Sequence, residues 1–219
     1  MRNKADLLTR FRDMAIGWGS VGIVYTLGSL YQGEGAVLPE SALDRLIPFN
    51  TVSIWLYLSF FLYIPYAYFT INADRLLWLR RSMQCCALLS TLVFLLWPTT
   101  LTYPDYVAAF SGSLAGDALV RILLWGDSPQ NCLPSLHAAL TLLCTWALLD
   151  SRHRARSALA GIACACICFS VIQLRRHLSV DVAAGLVAGL ACGWLCRQQL
   201  PWQIARPDCA VPSRKGASS

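Results

Sequence analysis

Long apolar runs, separated by short polar and basic segments, follow one another along most of the chain. Runs of about 20 apolar residues are typical of helices that cross a bilayer. Pro65 interrupts the second run, and a proline is tolerated in a membrane helix as a kink. The pattern predicts an all-α integral membrane protein with six transmembrane helices, at residues 14–31, 52–71, 83–101, 136–149, 157–174 and 179–196.

The segment between the third and fourth spans is less apolar than the spans. In it, Leu114, Ala118 and Ile122 recur every four residues, which is typical of an amphipathic helix. Asp117 and Arg121 lie in the same segment, four residues apart, and each would cost about 2.5–3.5 kcal/mol at the centre of a bilayer. The sequence therefore predicts an interfacial helix between helices 3 and 4 of the membrane domain.

Composition agrees with this organisation. Of the 219 residues, 56% are apolar and only 14% are charged, whereas soluble domains carry about 25% charged residues. We predict a cytoplasmic N-terminal segment at residues 1–13, one six-helix membrane domain at residues 14–196 and a cytoplasmic polar tail at residues 197–219.

The basic residues are distributed unequally between the two sides of this layout. Of the 18 Lys and Arg residues, all but four fall on the side that carries both termini, and the four are Arg45, Arg121, Arg175 and Arg176. Because cytoplasmic loops are enriched in Lys and Arg, both termini are predicted to be cytoplasmic. The net charge of +6 is thus a signal of topology. It is spread over separate loops, which argues against nucleic acid as a partner.

Small residues within the spans indicate helix packing. Most of the ten cysteines lie inside apolar runs, where they act as small hydrophobic residues, and they predict no disulfide framework and no metal site. Gly185 and Gly189 lie four residues apart in the sixth span, which predicts a small-residue face against another helix.

A short titratable stretch opens the sixth span. Arg175, Arg176 and His177 precede this helix, and Asp181 lies in its first turn. Because helix positions four apart share a face, Asp181 can reach the imidazole of His177. A carboxylate bonded to one ring nitrogen fixes the tautomer and leaves the other nitrogen free to attack an electrophile. The guanidinium groups suit a phosphate, but a basic turn at a membrane helix end has the same composition.

A second stretch, Asn-Cys-Leu-Pro-Ser-Leu-His at residues 131–137, precedes the fourth span. Pro134 suits the entry to a helix, and Ser135 is a typical N-cap whose hydroxyl and neighbouring free N–H groups can face an anion. His137, in the first turn, could protonate a leaving oxygen. Alone, the stretch is equally consistent with a capped helix start that carries an interfacial histidine.

Together, Pro-Ser-x-His and, forty residues later, His-x-x-x-Asp resemble the signature of the type 2 phosphatidic acid phosphatase superfamily. The resemblance covers roughly residues 94–189 and includes the six-helix layout. It implies that His177 is a nucleophile that forms a phosphohistidine, that Asp181 orients it, that His137 is the general acid and that Ser135 binds phosphate. It implies no metal or other cofactor, because the histidines carry out the covalent and proton-transfer steps. The sequence of residues 131–137 looks most like that of the branch that contains inositol phosphorylceramide synthases.

The sequence departs from the family pattern at three places. Leu136 stands where the phosphatases have Gly, Val171 where an Arg is expected, and residues 97–104, where a Lys and an Arg-Pro are expected, contain no cation. Other groups must then bind the phosphate, and the candidates are Ser135, Arg175, Arg176, Arg121, Asn131 and backbone N–H groups.

These observations predict a membrane enzyme whose partner is a membrane lipid: a phosphatase that cleaves a lipid phosphate or diphosphate. Transfer of a phospho-headgroup to an alcohol, as in inositol phosphorylceramide synthases, stays open. Haem binding through His137 and His177, and lipid binding without catalysis, are alternatives of another class. The location expected is a bacterial inner membrane, with the active site facing the periplasm or exterior. The oligomeric state stays open.

Overall fold

The computed structural model describes residues 4–30, 34–110, 116, 118, 119, 121 and 131–199, and most of these are helical. Two short 3₁₀ turns, Thr51–Ser53 and Ala73–Arg75, precede the third and fourth helices. The α-helices are α1 (Lys4–Leu30), α2 (Ala42–Leu46), α3 (Ile54–Thr70), α4 (Leu76–Leu96), α5 (Tyr106–Phe110), α6 (Leu136–Leu148), α7 (Arg154–Gln173) and α8 (Ser179–Gln199).

Four helices of the described residues are long and apolar enough to cross a membrane, namely Thr51–Thr70, Ala73–Leu96, Arg154–Gln173 and Ser179–Gln199. They correspond to the second, third, fifth and sixth predicted spans, and Pro65 lies inside the first of them. The fourth predicted span coincides with α6, which has only 13 residues and is about 20 Å long at 1.5 Å per residue. The protein is an integral membrane protein, and the count of six spans stays a prediction.

The first helix begins earlier than the apolar run does. Residues 4–13, which we assigned to the N-terminal segment, are part of one helix, α1, that starts at Lys4; the cytoplasmic location of this segment stays a prediction. Its charged start is stabilised by the ion pair of Asp6 and Arg10, four residues apart at 2.9 Å. Hydropathy marks the apolar run and not the helix that extends beyond it.

The predicted interfacial helix falls largely outside the described residues. Residues 116, 118, 119 and 121 are helical, as is α5, whereas Asp117 lies outside the described residues. The pairing of Asp117 with Arg121 and the position of this helix at a membrane surface stay predictions.

A small-residue face joins α8 to α6. A Cβ atom on Gly189 would lie 2.9 Å from the carbonyl oxygen of Ala139, and one on Gly185 would collide with the carbonyl oxygen of Ser135. These contacts confirm that Gly185 and Gly189 serve helix packing. Gly193 continues the face one turn further, against Trp146.

Two buried arginines bind the C-terminal ends of helices. Arg10 donates to the carbonyl oxygens of Tyr68 and Ile71 at the end of α3. Arg75 donates to those of Ala147 and Leu149 at the end of α6. Since the last carbonyls of a helix lack partners within it, each guanidinium satisfies groups that would otherwise be buried unpaired.

At the other end of the bundle, two very short strands join distant loops. Strand β1 (Ala36–Val37) pairs in parallel with β2 (Thr99–Thr100), with Ala36 opposite Thr99. Thr99 also bridges to Asn131, and its hydroxyl accepts a hydrogen bond from the backbone N–H of Leu133. The pairing therefore holds the start of the 131–137 stretch, which leads directly into α6.

Candidate active site

A tight turn between α7 and α8 presents His177. Arg175 has a left-handed backbone conformation with φ of 54°, and the backbone N–H of His177 returns to the carbonyl oxygen of Val171 at 3.1 Å. Tyr106 donates its hydroxyl to the carbonyl oxygens of Leu174 and Arg175. Non-glycine residues rarely adopt positive φ, so these bonds hold a turn that the backbone alone would not favour.

The imidazole of His177 is 2% exposed, and its Nδ1 atom lies 3.0 Å from the carbonyl oxygen of Cys132. A carbonyl oxygen only accepts hydrogen bonds, so Nδ1 must be the donor and carries the proton. The other ring nitrogen, Nε2, then holds a lone pair. In this tautomer His177 can act as a nucleophile.

His137, from the stretch at residues 131–137, lies next to His177. Ser135 caps α6 as predicted, because its hydroxyl oxygen accepts a hydrogen bond from the backbone N–H of Ala138. His137 follows in the first turn, and its Nδ1 atom lies 3.4 Å from Nε2 of His177. Its ring packs against those of Tyr57 and Phe60, with centroid distances of 5.1 and 4.7 Å. A proton on Nδ1 of His137 would point at the lone pair of His177.

Asp181 lies beside His177, but it does not make the hydrogen bond that holds the ring. Its Oδ2 atom is 3.7 Å from Nδ1 of His177, and it accepts a hydrogen bond of 2.8 Å from the backbone N–H of Leu178. The two groups lie together, although His177 belongs to the turn before α8, which begins at Ser179. The carbonyl oxygen of Cys132 accepts the hydrogen bond from the ring N–H, and Oδ2 of Asp181 accepts one from a backbone N–H at the start of α8.

The three arginines proposed as phosphate ligands are not among the described residues that line the cavity at the histidines. Arg175 donates to the carbonyl oxygen of Ile47 at 3.0 Å and lies 3.6 Å from the carboxylate of Glu40. In this structure the guanidinium is thus bound to the segment formed by residues 40–47, around α2, and phosphate binding by Arg175 stays a prediction.

Arg176 is buried against two aromatic rings. Its guanidinium carbon lies 5.2 Å from the ring centroid of Tyr103 and 5.6 Å from that of Tyr106, within the range of cation–π attraction. Arg121 is helical and exposed. Neither Arg176 nor Arg121 is part of the cavity wall at the histidine pair.

A cavity of about 130 Å³ opens at the two histidines. This volume is close to the roughly 150 Å³ of an apolar protein cavity that holds one benzene molecule. Asn131, which is 2% exposed, lines the cavity, whereas Ser135 is buried and is not part of its wall; phosphate binding by either residue stays a prediction. The rest of the wall is apolar or aromatic and comes from α1, α3 and α6, with Trp18, Val21, Gly22, Tyr25, Phe60, Phe61, Leu136 and Leu140.

No group of three or more His, Cys, Asp or Glu side chains is arranged to hold a metal ion in the part of the chain that the structure describes. His177 and His137 can supply nucleophilic attack by one imidazole and proton transfer by the other.

Sequence reasoning missed two groups at the site. The carbonyl of Cys132 carries no side-chain signal and could not be read from residue types. Asp44 could have been noticed, because Ser41 and Asp44 form a Ser-x-x-Asp capping box at α2. Its contact with Ser179, 135 residues away, leaves no mark in the local sequence.

One of the comparisons with known proteins identifies a family. The model of the PAP2 superfamily matches residues 40–195, which is more than two thirds of the 219-residue chain. No curated protein and no solved structure matches the chain. Members of the superfamily are generally phosphatases or phosphotransferases. The matched region contains both histidines, Asp181 and the segment around α2, and the chain belongs to the PAP2 superfamily.

Proposed function

We propose that the protein is a membrane lipid phosphatase that removes phosphate from a lipid phosphate or diphosphate through a phosphohistidine on His177. The observation that supports this most directly is the relation of the two imidazoles. Nδ1 of His177 is bound to the carbonyl of Cys132, and Nε2 faces Nδ1 of His137 at 3.4 Å. A nitrogen whose lone pair can attack phosphorus therefore lies within reach of a group that can carry a proton.

In the first step, Nε2 of His177 attacks phosphorus, and the bond from phosphorus to the departing oxygen breaks. His137 donates its proton to that oxygen, which leaves as the lipid alcohol or, from a diphosphate, as the lipid monophosphate. In the second step, neutral His137 accepts a proton from water, which attacks phosphorus. The phosphorus–nitrogen bond breaks, inorganic phosphate leaves, and both histidines return to their starting states.

Asp181 is suited to stabilise the intermediate. It is fully buried, and its Oδ1 atom has no hydrogen-bond partner within the described part of the chain. Phosphorylation at Nε2 while Nδ1 keeps its proton makes the ring cationic. A buried carboxylate with its Oδ2 atom 3.7 Å from Nδ1 lowers the free energy of that cation more than it would in water.

The cavity wall supports a lipid as the substrate. Apart from Asn131 and the two histidines, the wall is built mainly from apolar and aromatic side chains of three helices. Such a wall favours the first carbons of a lipid chain over a hydrated sugar or nucleoside. Asn131 and the backbone N–H groups at the start of α6 would bind phosphate oxygens. The unequal distribution of basic residues supports an active site at the outer face of the membrane.

The test is turnover by the purified protein in heavy-oxygen water, with a panel of lipid phosphates and diphosphates. A phosphatase releases inorganic phosphate that carries one heavy oxygen atom from water. Candidate alcohols, such as inositol or a glycerolipid, are included in a parallel reaction. Formation of a phosphodiester with no release of phosphate would show that the protein is a phosphotransferase.

The nucleophile is tested by trapping the intermediate with a substrate labelled at phosphorus. His177→Ala should abolish both turnover and labelling of the protein. His153→Ala is the matched control, because this third histidine is exposed in the turn before α7 and lies outside the cavity wall. Substantial turnover by His177→Ala, or labelling of that variant, would contradict a phosphohistidine at this position.

A further inference from the structure

The segment formed by residues 40–47, around α2, binds the chain on both sides of His177. Two residues before the histidine, Arg175 donates to the carbonyl oxygen of Ile47. Two residues after it, Ser179 is bound by Asp44. The nucleophile therefore lies at the centre of a five-residue stretch whose ends are attached to one short segment.

Asp44 is the main contact of this segment. Its Oδ1 atom accepts a hydrogen bond of 2.7 Å from the backbone N–H of Ser179, and its Oδ2 atom accepts one of 3.1 Å from the hydroxyl of the same residue. Oδ2 also accepts a hydrogen bond of 2.8 Å from the backbone N–H of Ser41. The hydroxyls of Ser41 and Ser179 lie 2.9 Å apart. One carboxylate thus joins the first turn of α2 to the first turn of α8.

The carboxylate is ionised in this setting. Asp44 is fully buried, and burial raises the pKa of its carboxyl group, but the hydrogen bonds from Ser41 and Ser179 outweigh it and leave the pKa below its ordinary value. A negative charge at the start of α8 is also favoured by the helix dipole. Charge-assisted hydrogen bonds are about twice as strong as neutral ones, so the ionised Asp44 binds Ser179 and Ser41 more strongly than a neutral side chain would.

We propose that Asp44 is a positioning residue for the nucleophile: by fixing the start of α8 it sets where Nε2 of His177 points. The proposal rests on the proposed function for the role of His177. Its basis is geometric, because the tautomer depends on a hydrogen bond from the ring to Cys132 and proton transfer depends on the 3.4 Å approach to His137. Both contacts change if the backbone at Ser179 moves.

Asp44→Asn is the informative variant, because asparagine keeps one acceptor oxygen and nearly the same shape. It loses the charge and cannot accept from both Ser179 and Ser41 as the carboxylate does. We expect kcat to fall by about 10- to 100-fold, since a misplacement of 1 Å can cost about 100-fold in rate. KM should stay within about threefold, because Asp44 is not part of the cavity wall.

Asp13→Asn is the matched control. Asp13 is also a buried carboxylate, 5% exposed, and accepts a charge-assisted hydrogen bond of 2.8 Å from Arg80. It lies in α1 and does not line the cavity. Asp13→Asn should lower the melting temperature about as much as Asp44→Asn and leave kcat unchanged. If both variants lose kcat equally, or if Asp44→Asn keeps the kcat of the wild type, the proposal is wrong.

A second measurement does not depend on activity. With only three histidines in the chain, the imidazole nitrogens can be labelled with nitrogen-15 and assigned by NMR using single variants. We expect one His177 tautomer, protonated at Nδ1, in the wild type and in Asp13→Asn, and a mixture or a broadened signal in Asp44→Asn. An unchanged His177 signal in Asp44→Asn would overturn the proposal even if no substrate were turned over. Conversely, if the His177 signal changes in Asp44→Asn as expected but the wild-type protein turns over no substrate, the result counts against the proposed function and not against the positioning role of Asp44.

If Asp44→Asn does not fold, Ser179→Ala replaces it. This variant keeps the backbone hydrogen bond to Oδ1 of Asp44 and removes the two contacts of the hydroxyl, with Oδ2 of Asp44 and with the hydroxyl of Ser41. We expect kcat to fall by about two- to fivefold, a smaller loss than in Asp44→Asn because the backbone contact remains, and the His177 signal to broaden. Wild-type kcat with an unchanged signal would overturn the proposal.

Discussion

Replacing Gly185 by alanine should move His137 on α6 away from His177, which precedes α8, without changing either side chain. A Cβ atom at this position would lie well within 3.0 Å of the carbonyl oxygen of Ser135, and about 3.2 Å from the Cβ atom of Ala138. The first of these neighbours is backbone and cannot rotate away. Because Ser135 precedes His137 by two residues, the start of α6 must move away from α8.

The size of the effect follows from that contact. The two backbones must separate by roughly 1 Å for the Cβ atom to fit, and forcing extra volume into a packed interface costs about 1–3 kcal/mol. His137 and His177 lie on opposite sides of this interface, with their nitrogens 3.4 Å apart. A displacement of that size should lower kcat by about 100-fold.

The assay combines phosphate release with thermal unfolding for three glycine variants. Gly193→Ala inserts a Cβ atom 2.7 Å from the ring of Trp146, on the same face but about two turns further along α8 than Gly185. It should destabilise the protein while retaining most of the turnover. Gly161→Ala adds a methyl group where nothing lies within 4 Å, and it should be neutral or stabilise α7 by up to about 1 kcal/mol.

The decisive comparison is between Gly185→Ala and Gly193→Ala. If both lose turnover in proportion to their loss of stability, the effect is general unfolding and the coupling of α6 to α8 through Gly185 is refuted. Wild-type turnover by Gly185→Ala would refute it as well.

Three further outcomes are expected. His137→Ala should lower turnover by about 100- to 10,000-fold, and by much less with a nitrophenyl phosphate, whose leaving group needs no proton; equal losses on both substrates would exclude the general-acid role. Asp181→Asn should lose only about tenfold, the worth of one charge-assisted contact, because the carbonyl of Cys132 holds the His177 ring and an amide oxygen can still accept from Leu178. Asp181→Leu should lose more, and equal kinetics of the two variants would disprove this division. The pKa of Asp44 is lower in the folded protein than its ordinary value of 3.8, so its contribution to stability is present above that pH and is lost as the pH falls below it. The free energy of unfolding, measured between pH 3 and 5, should therefore depend less on pH in Asp44→Asn than in the wild type. An identical pH dependence would contradict the lowered pKa.

The histidine pair and the spans carry sequence signals because each depends on side-chain type and local spacing. The apolar runs correspond to α3, α4, α7 and α8 because a bilayer requires long uninterrupted apolar helices. Ser135 caps α6 because a hydroxyl oxygen can satisfy a free N–H at a helix start. His137 and His177 meet because each opens a helix at the same end of the bundle.

Other parts of the site depend on backbone groups and on contacts between distant residues. Two-residue strands such as β1 and β2 are too short to show an alternating pattern. The carbonyl of Cys132 is present whatever the residue type. The direction of the Arg175 guanidinium follows from a left-handed turn at a non-glycine residue, a conformation that residue type does not predict.

The shortness of α6 has a consequence for the depth of the histidine pair. At about 20 Å, this helix is shorter than a hydrocarbon layer of about 30 Å. Its C-terminal end is bound by Arg75, and His137 lies in its first turn, so the missing length falls on the side of the histidines. Ten of the 13 residues of α6 are buried, so other parts of the protein, and not lipids, surround this helix. Turnover in vesicles should rise as the acyl chains of the host lipid are shortened, because a thinner bilayer brings the substrate phosphate closer to the depth of the histidine pair.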